Sequence, residues 1–224
     1  MPFGNEFPNH QTKPQRIRLF FLSTRLSLSI NVIRFYSTMK IDKLIDRFVD
    51  QINKSEKEKL EPNEVPFFLR SGEPDEYGDY DWKICESDCK EWVDPLMHKL
   101  PKRFPPSFYS LLSRYAFPAF EFSSIMLFAN TGKNSYWELT NRIFLDQYMS
   151  TFLLNNGYIQ FGNQYYGSYD PVCFDINRKR SEHPIVLIDH AWINHRVTPK
   201  ISIIDEIAAS FIDLVENHLK ETCV

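Results

Sequence analysis

Residues 169–190, YDPVCFDINRKRSEHPIVLIDH, hold three aspartates, two histidines and a cysteine. Those types could serve two chemistries. A carboxylate can orient a histidine as a general base that activates a nucleophile, and carboxylates with imidazoles can ligate a metal. The spacing favours neither. "PVCFDI" and "PIVLID" are short apolar runs that each begin at a proline, a tolerated residue at a strand start, and "NRKRSEH" between them is a polar connection. Side chains alternate across a strand, so Asp170 and Asp175 face opposite ways and cannot pair within one strand. His190 and His195 fit neither a helix face nor the HExxH zinc motif. The stretch reads as a β-hairpin whose Asp189 and His190 return to solvent. The alternative is a small hydrolase using Asp189 and His190 with Cys173, although a thiolate inside an apolar strand is disfavoured. "GKNS" at 132–135 fails as a phosphate loop, since Leu127 stands where a glycine is required and Asn134 follows the lysine.

The elements that must position these residues follow from periodicity. Ile41, Leu44, Ile45, Phe48, Val49 and Ile52 recur at three and four and predict a helix that ends in "NKSEKEKLEPNE". Pro106 and Ser107 suit a second helix start, with Phe108, Leu111, Leu112 and Tyr115 facing inward. "FEFSSIMLFAN" reads as one strand, apolar on both faces in its second half and so central. One or two helices are expected from Trp137 to about Leu154, capped at Asn156 or Gly157. More strands follow, and "IIDEIAASFIDLVENHL" predicts a closing amphipathic helix through Ile204, Ile207, Ala208, Phe211, Val215 and Leu219. This order implies an α+β fold: a mostly antiparallel sheet flanked by helices, with the C-terminal helix packed on it.

Composition narrows the function classes. The chain of 224 residues is 43% hydrophobic and 25% charged, a globular balance with room for one ordinary domain. A net charge of −3 argues against nucleic-acid binding, which needs a concentrated basic surface. No run reaches the length of a membrane span. Four scattered cysteines read as reduced thiols, with Cys85 and Cys89 at helical spacing. Residues 1–38 carry five bases and one acid, so a tail of +4 precedes a domain, 39–224, of −7. The tail is built like a mitochondrial presequence, with "RFYS" resembling a protease site, or else it lies upstream of a true start at Met39. Between Glu73 and Asp94 nine acids face two lysines, with Tyr77, Tyr80, Trp82 and Trp92 interleaved. That segment is either a docking surface for a basic partner or a solvated loop with its aromatics turned inward; general surface statistics favour the loop.

Four stretches in order, "LPKRFPPSFYSLLSRYAFPAFEF", "GSYDPVCFDINR", "HPIVLIDHAWI" and "IAASFIDLVENHL", resemble the landmarks of the SUKH superfamily. The Gly167, Tyr169, Asp170 and Pro171 segment and the Ser210–Phe211 pair carry the resemblance best. That superfamily includes a fungal cell-wall-synthesis regulator and bacterial toxin-immunity proteins. The resemblance implies an α+β domain that binds other proteins and catalyses nothing; no cofactor or metal is expected. An acidic body suits a basic partner, a toxin or a signalling protein, in the cytoplasm, or in mitochondria if the tail is a transit peptide. Aromatics beside acids make useful anchors for such a partner. The contact candidates are Asp79, Tyr80, Tyr165, Tyr166, Asp170, Asp189 and His190.

Overall fold

A computed structural model describes residues 38–144, 148–165, 169–194 and 197–222. The chain divides into two units, Met1–Lys40 and Ile41–Val224, and the packing below is that of the second. The readings of the basic tail fall on residues 1–37, outside the described residues.

Helix α1 runs over residues 38–54 and, within the second unit, buries Ile45, Phe48, Val49 and Ile52, the stripe its periodicity requires. Its last turn is tied to the chain ahead by Asn53. The amide of that side chain donates to the Ile84 carbonyl at 2.9 Å and accepts the Ile84 N–H at 2.8 Å. A 3-10 turn, Phe67–Leu69, leads into a ribbon of β1 (Arg70–Ser71) and β2 (Asp81–Trp82). Strand β3 (Cys85–Glu86) precedes α2 (Lys90–Lys99), and α3 (Pro106–Arg114) runs directly into β4 (Tyr115–Ala116), which pairs with β3. Cys85 thus lies in a strand and Cys89 caps a helix, so helical spacing does not explain them. In α3 the proline at the first turn forfeits no hydrogen bond, and Phe108, Leu111 and Leu112 are fully buried. Arg114 locks α3 to α1, donating to Asp46 at 2.6 Å, while the Tyr115 hydroxyl donates to the same carboxylate at 2.8 Å.

The main sheet is an antiparallel meander in which every strand pairs with its neighbours in sequence. Its members are β5 (Phe120–Phe122), β6 (Ile125–Leu127), β7 (Tyr158–Gln164), β8 (Pro171–Asp175), β9 (Ile185–Ile188) and β10 (Ile203–Ala208). Helices α4 (Leu139–Phe144) and α5 (Met149–Asn155) link β6 to β7. A single turn, α6 (His190–Ile193), follows β9, and α7 (Phe211–Glu221) closes the chain against the sheet.

One face of the sheet carries the larger core, shared with α1, α2, α3 and α7. Phe108 is its hub, with ring centroids 5.0 Å from Phe211, 5.1 Å from Phe174 and 5.3 Å from Phe161. The other face carries a smaller cluster in which Cys173, Val186 and Ile188 meet Leu153 of α5 and Ile193 of α6.

Two further sequence expectations need correction. "FEFSSIMLFAN" is two strands, because Ser123 and Ser124 take φ of 47° and 62° and reverse the chain between β5 and β6. Residues 203–208 are the edge strand β10 rather than helix, since the open edge of β9 offers these β-branched residues a ladder. The closing helix starts only at Phe211, where the Ser210 hydroxyl accepts the Asp213 N–H at 3.1 Å.

Candidate functional site

The hairpin of β8 and β9 forms as its sequence predicts, and its open end carries the chemistry. Asp170 sits one residue before β8, and Asp189 and His190 follow β9 directly. Asp170 is 5% exposed, and one of its oxygens accepts both the His190 N–H at 2.9 Å and His190 Nδ1 at 2.6 Å. Alternation rightly forbids a carboxylate pair within one strand. The contact is made across the two strands instead, where sequence spacing sets no limit. Asp189 is the N-cap of α6, accepting the Ala191 N–H at 2.9 Å. The carboxylate that orients His190 is therefore Asp170 and not Asp189.

A proton on Nδ1 would point to Asp170, and in that neutral tautomer Nε2 is the acceptor, the orientation a general base requires. The ligand atoms of Asp170, Asp189 and His190 lie within 4.8 Å of one another. A divalent cation held by all three through Nδ1 would have to replace the Asp170–His190 bond. Cys173 is fully buried in the smaller cluster, and burial pushes its thiol well above its ordinary value. No hydrogen bond among the described residues joins it to His190.

A second group lies around Glu58. The acidic ribbon is ordered by Asp75, whose carboxylate accepts the Tyr77 and Asp79 N–H groups at 2.9 and 3.0 Å and pairs with Lys59 at 3.4 Å. The Asp79 N–H, above all, holds that carboxyl below its ordinary value. Tyr80 bridges to Leu60 on the strand side and lies under the Arg70 guanidinium, 4.4 Å from its ring centre. The Trp82 indole donates to the Glu58 carbonyl at 3.0 Å, and the Tyr165 hydroxyl donates to the Glu58 carboxylate at 3.0 Å. Glu58 and Leu60 also border a pocket of about 340 Å³, whose lining includes Glu64, Met126, Tyr136 and Trp137.

Of the seven candidate contacts, Asp170, Asp189 and His190 are brought together, Tyr165 bonds to Glu58, Tyr80 pairs with Leu60, Asp79 bonds to Asp75 within the ribbon, and Tyr166 lies outside the described residues. Next to Tyr165 in the chain, the Gln164 N–H donates to the Asp170 carbonyl at 2.9 Å. Glu58, Glu64, Tyr136 and Trp137 are not among the candidates read from sequence. "NKSEKEKLEPNE" signals only a frayed helix end, and nothing local pairs it with residues more than seventy positions away.

Compared with protein-family models, with curated proteins and with solved structures, the chain gives no match. Among the described residues no helix is long and apolar enough to cross a membrane.

Proposed function

We propose that this chain is a non-catalytic protein-binding module of the SUKH type, whose ribbon over residues 67–82 docks a basic protein, a toxin or a signalling factor. The observation that carries this reading is exposed aromatic surface among acids. Trp82 turns into the core as a solvated loop would require, but Tyr77 is 83% exposed and Phe67 84%, beside the half-exposed Phe68. Glu73, Glu76 and Asp81 are exposed along the same ribbon. Aromatic anchors lower the free energy of a complex by water exclusion, and the surrounding acids steer a basic partner and set its orientation. Among the described residues Cys85, Cys89 and Cys173 are free thiols, which suits the reducing cytoplasm.

The test is affinity capture with the full chain at low and high salt, beside a Phe67→Ala/Phe68→Ala/Tyr77→Ala bait. A basic protein held at low salt, released at high salt and absent from the triple-variant bait supports the reading. Identical captures by both baits would sink it.

A second reading, a small hydrolase, draws on the 2.6 Å Asp170–His190 bond, which presents His190 as an oriented base. It needs hydrolysis of some ester or amide probe that His190→Ala abolishes without altering the fold. Unchanged hydrolysis in that variant would remove it.

A further inference from the structure

We infer that the pocket bordered by Glu58 and Trp137 is a receptor for a single cationic side chain, lysine or arginine, of the basic partner. This inference rests on the docking reading above and specifies its chemistry. Three observations meet there. The first is charge without compensation. Lys57 and Lys59 flank Glu58 in the chain, yet both are engaged elsewhere. Lys57 donates to the Ile52 carbonyl at 2.9 Å and lies over the Trp82 ring, and Lys59 pairs with Asp75. Among the described residues no ion pair reaches Glu58, Glu64 or Glu121. Burial, and then the negative charge of Glu58, pushes the Glu121 carboxyl above its ordinary value, so Glu58 and Glu121 sit close enough to repel.

The second observation is the aromatic wall. Tyr136 and Trp137 stand edge to face with centroids 5.1 Å apart, and Tyr136 is 69% exposed. The Arg142 guanidinium already lies 4.8 Å from the Tyr136 ring centre and 5.6 Å from that of Trp137. These rings therefore accept a cation from within the chain, and the exposure of Tyr136 leaves ring surface for one from outside.

The third observation is the apolar part of the lining. Leu60, Ala119 and Met126 share the pocket wall with the acids. A long aliphatic stem ending in a cation matches this lining: methylenes on the apolar residues, charge at the carboxylates and rings. A neutral apolar side chain would leave the carboxylates without a counter-charge, and a small cation would leave the apolar residues wet. The bridge from Leu60 to Tyr80 sets the pocket beside the acidic ribbon, where an extended basic segment could occupy both.

The experiment is an NMR titration of the full chain, following the Trp137 indole N–H and the Met126 methyl. The probes are N-acetyl-lysine methylamide, N-acetyl-arginine methylamide and the uncharged N-acetyl-norleucine methylamide. Saturable shifts are expected with a Kd on the order of millimolar for at least one cationic probe, and weaker binding of norleucine by about tenfold. Glu58→Gln/Glu64→Gln should erase that preference, and the lysine and arginine arms show which head group fits better. Equal binding of norleucine, or unshifted Trp137 and Met126 signals with both cations, overturns the inference. Either overturning result would leave the docking reading standing if partner capture still depends on Phe67, Phe68 and Tyr77. Cation-selective shifts with identical captures by both baits would support the pocket while removing that reading.

Discussion

Glu138 gives the sharpest test of the electrostatics near this pocket. It follows Trp137 directly and is 3% exposed, with its carboxylate accepting the Thr131 N–H at 3.1 Å and the Thr131 hydroxyl at 2.8 Å. Burial pushes its pKa from 4.5 up to about 7, against the opposing pull of the Thr131 and Gly132 hydrogen bonds. The folded carboxyl thus keeps its proton across a window in which the unfolded one has lost it. The folded state binds more protons there, so stability should fall as pH rises from 4.5 to about 7 and level off above. The shift corresponds to about 3 kcal/mol across the window. Urea unfolding of the wild type and Glu138→Gln, at matched ionic strength from acid to neutral pH, isolates this group. Glu182, which burial also raises, and His183 and His218, which burial lowers, titrate in both proteins and cancel in the difference. Cys89, held up at about 11 by burial, stays protonated throughout. The wild type should lose about 3 kcal/mol relative to the variant as pH rises, and the two curves should be parallel above neutrality. Parallel curves across the whole range would refute the argument.

Three further outcomes are expected. Gly157→Ala should lower stability by about 2 kcal/mol in urea unfolding, since φ is +81° and a Cβ would lie 2.2 Å from Asn177 Oδ1; an unchanged midpoint would contradict the left-handed cap. Asp170→Ala should cost about 2 kcal/mol by the same measurement, because the His190 N–H is left without its acceptor. It should also shift the His190 ring signals in NMR, and unshifted signals would refute the pairing. Cys173 should resist alkylation by iodoacetamide in the folded chain and react only on unfolding, as a fully buried thiol with a raised pKa must; mass spectrometry after a timed pulse reads this directly.

The fold was most legible where hydrophobic periodicity had one solution. The face of α1, the start of α3, the β8–β9 hairpin and the cap at Gly157 all follow from spacing and residue type. It was least legible where two solutions shared one pattern. Ile204, Ile207, Ala208 and Phe211 fit a helical face, and only the Ser210-x-x-Asp213 capping signal marks where the strand ends and the helix begins. Ser123–Ser124 is a turn without glycine or asparagine, so the usual hairpin signature was missing. The site was harder still. Tyr77 and Trp82 are both aromatics among acids, yet one faces solvent and the other the core. Pairing of the ribbon with Leu60 and α1 decides that, and no local pattern reports it.

The same distinction separates the two functional readings. Catalysis by His190 requires an ionisable nucleophile near Nε2, and the cysteine that sequence offers is held in the smaller core three residues along β8 from Asp170. Asp170 also has a sufficient structural role, because one carboxylate oxygen satisfies a backbone N–H and fixes a side chain at the mouth of the hairpin. Docking requires exposed rings and charge not already neutralised. Phe67, Phe68 and Tyr77 supply the rings on the ribbon, and Glu58, Glu64 and Tyr136 supply both kinds of group at the pocket. Neither requirement contributes to folding: an exposed Phe gains little, and clustered carboxylates repel. A domain that keeps such groups at its surface while burying ten phenylalanines in its core has the surface that the docking proposal requires.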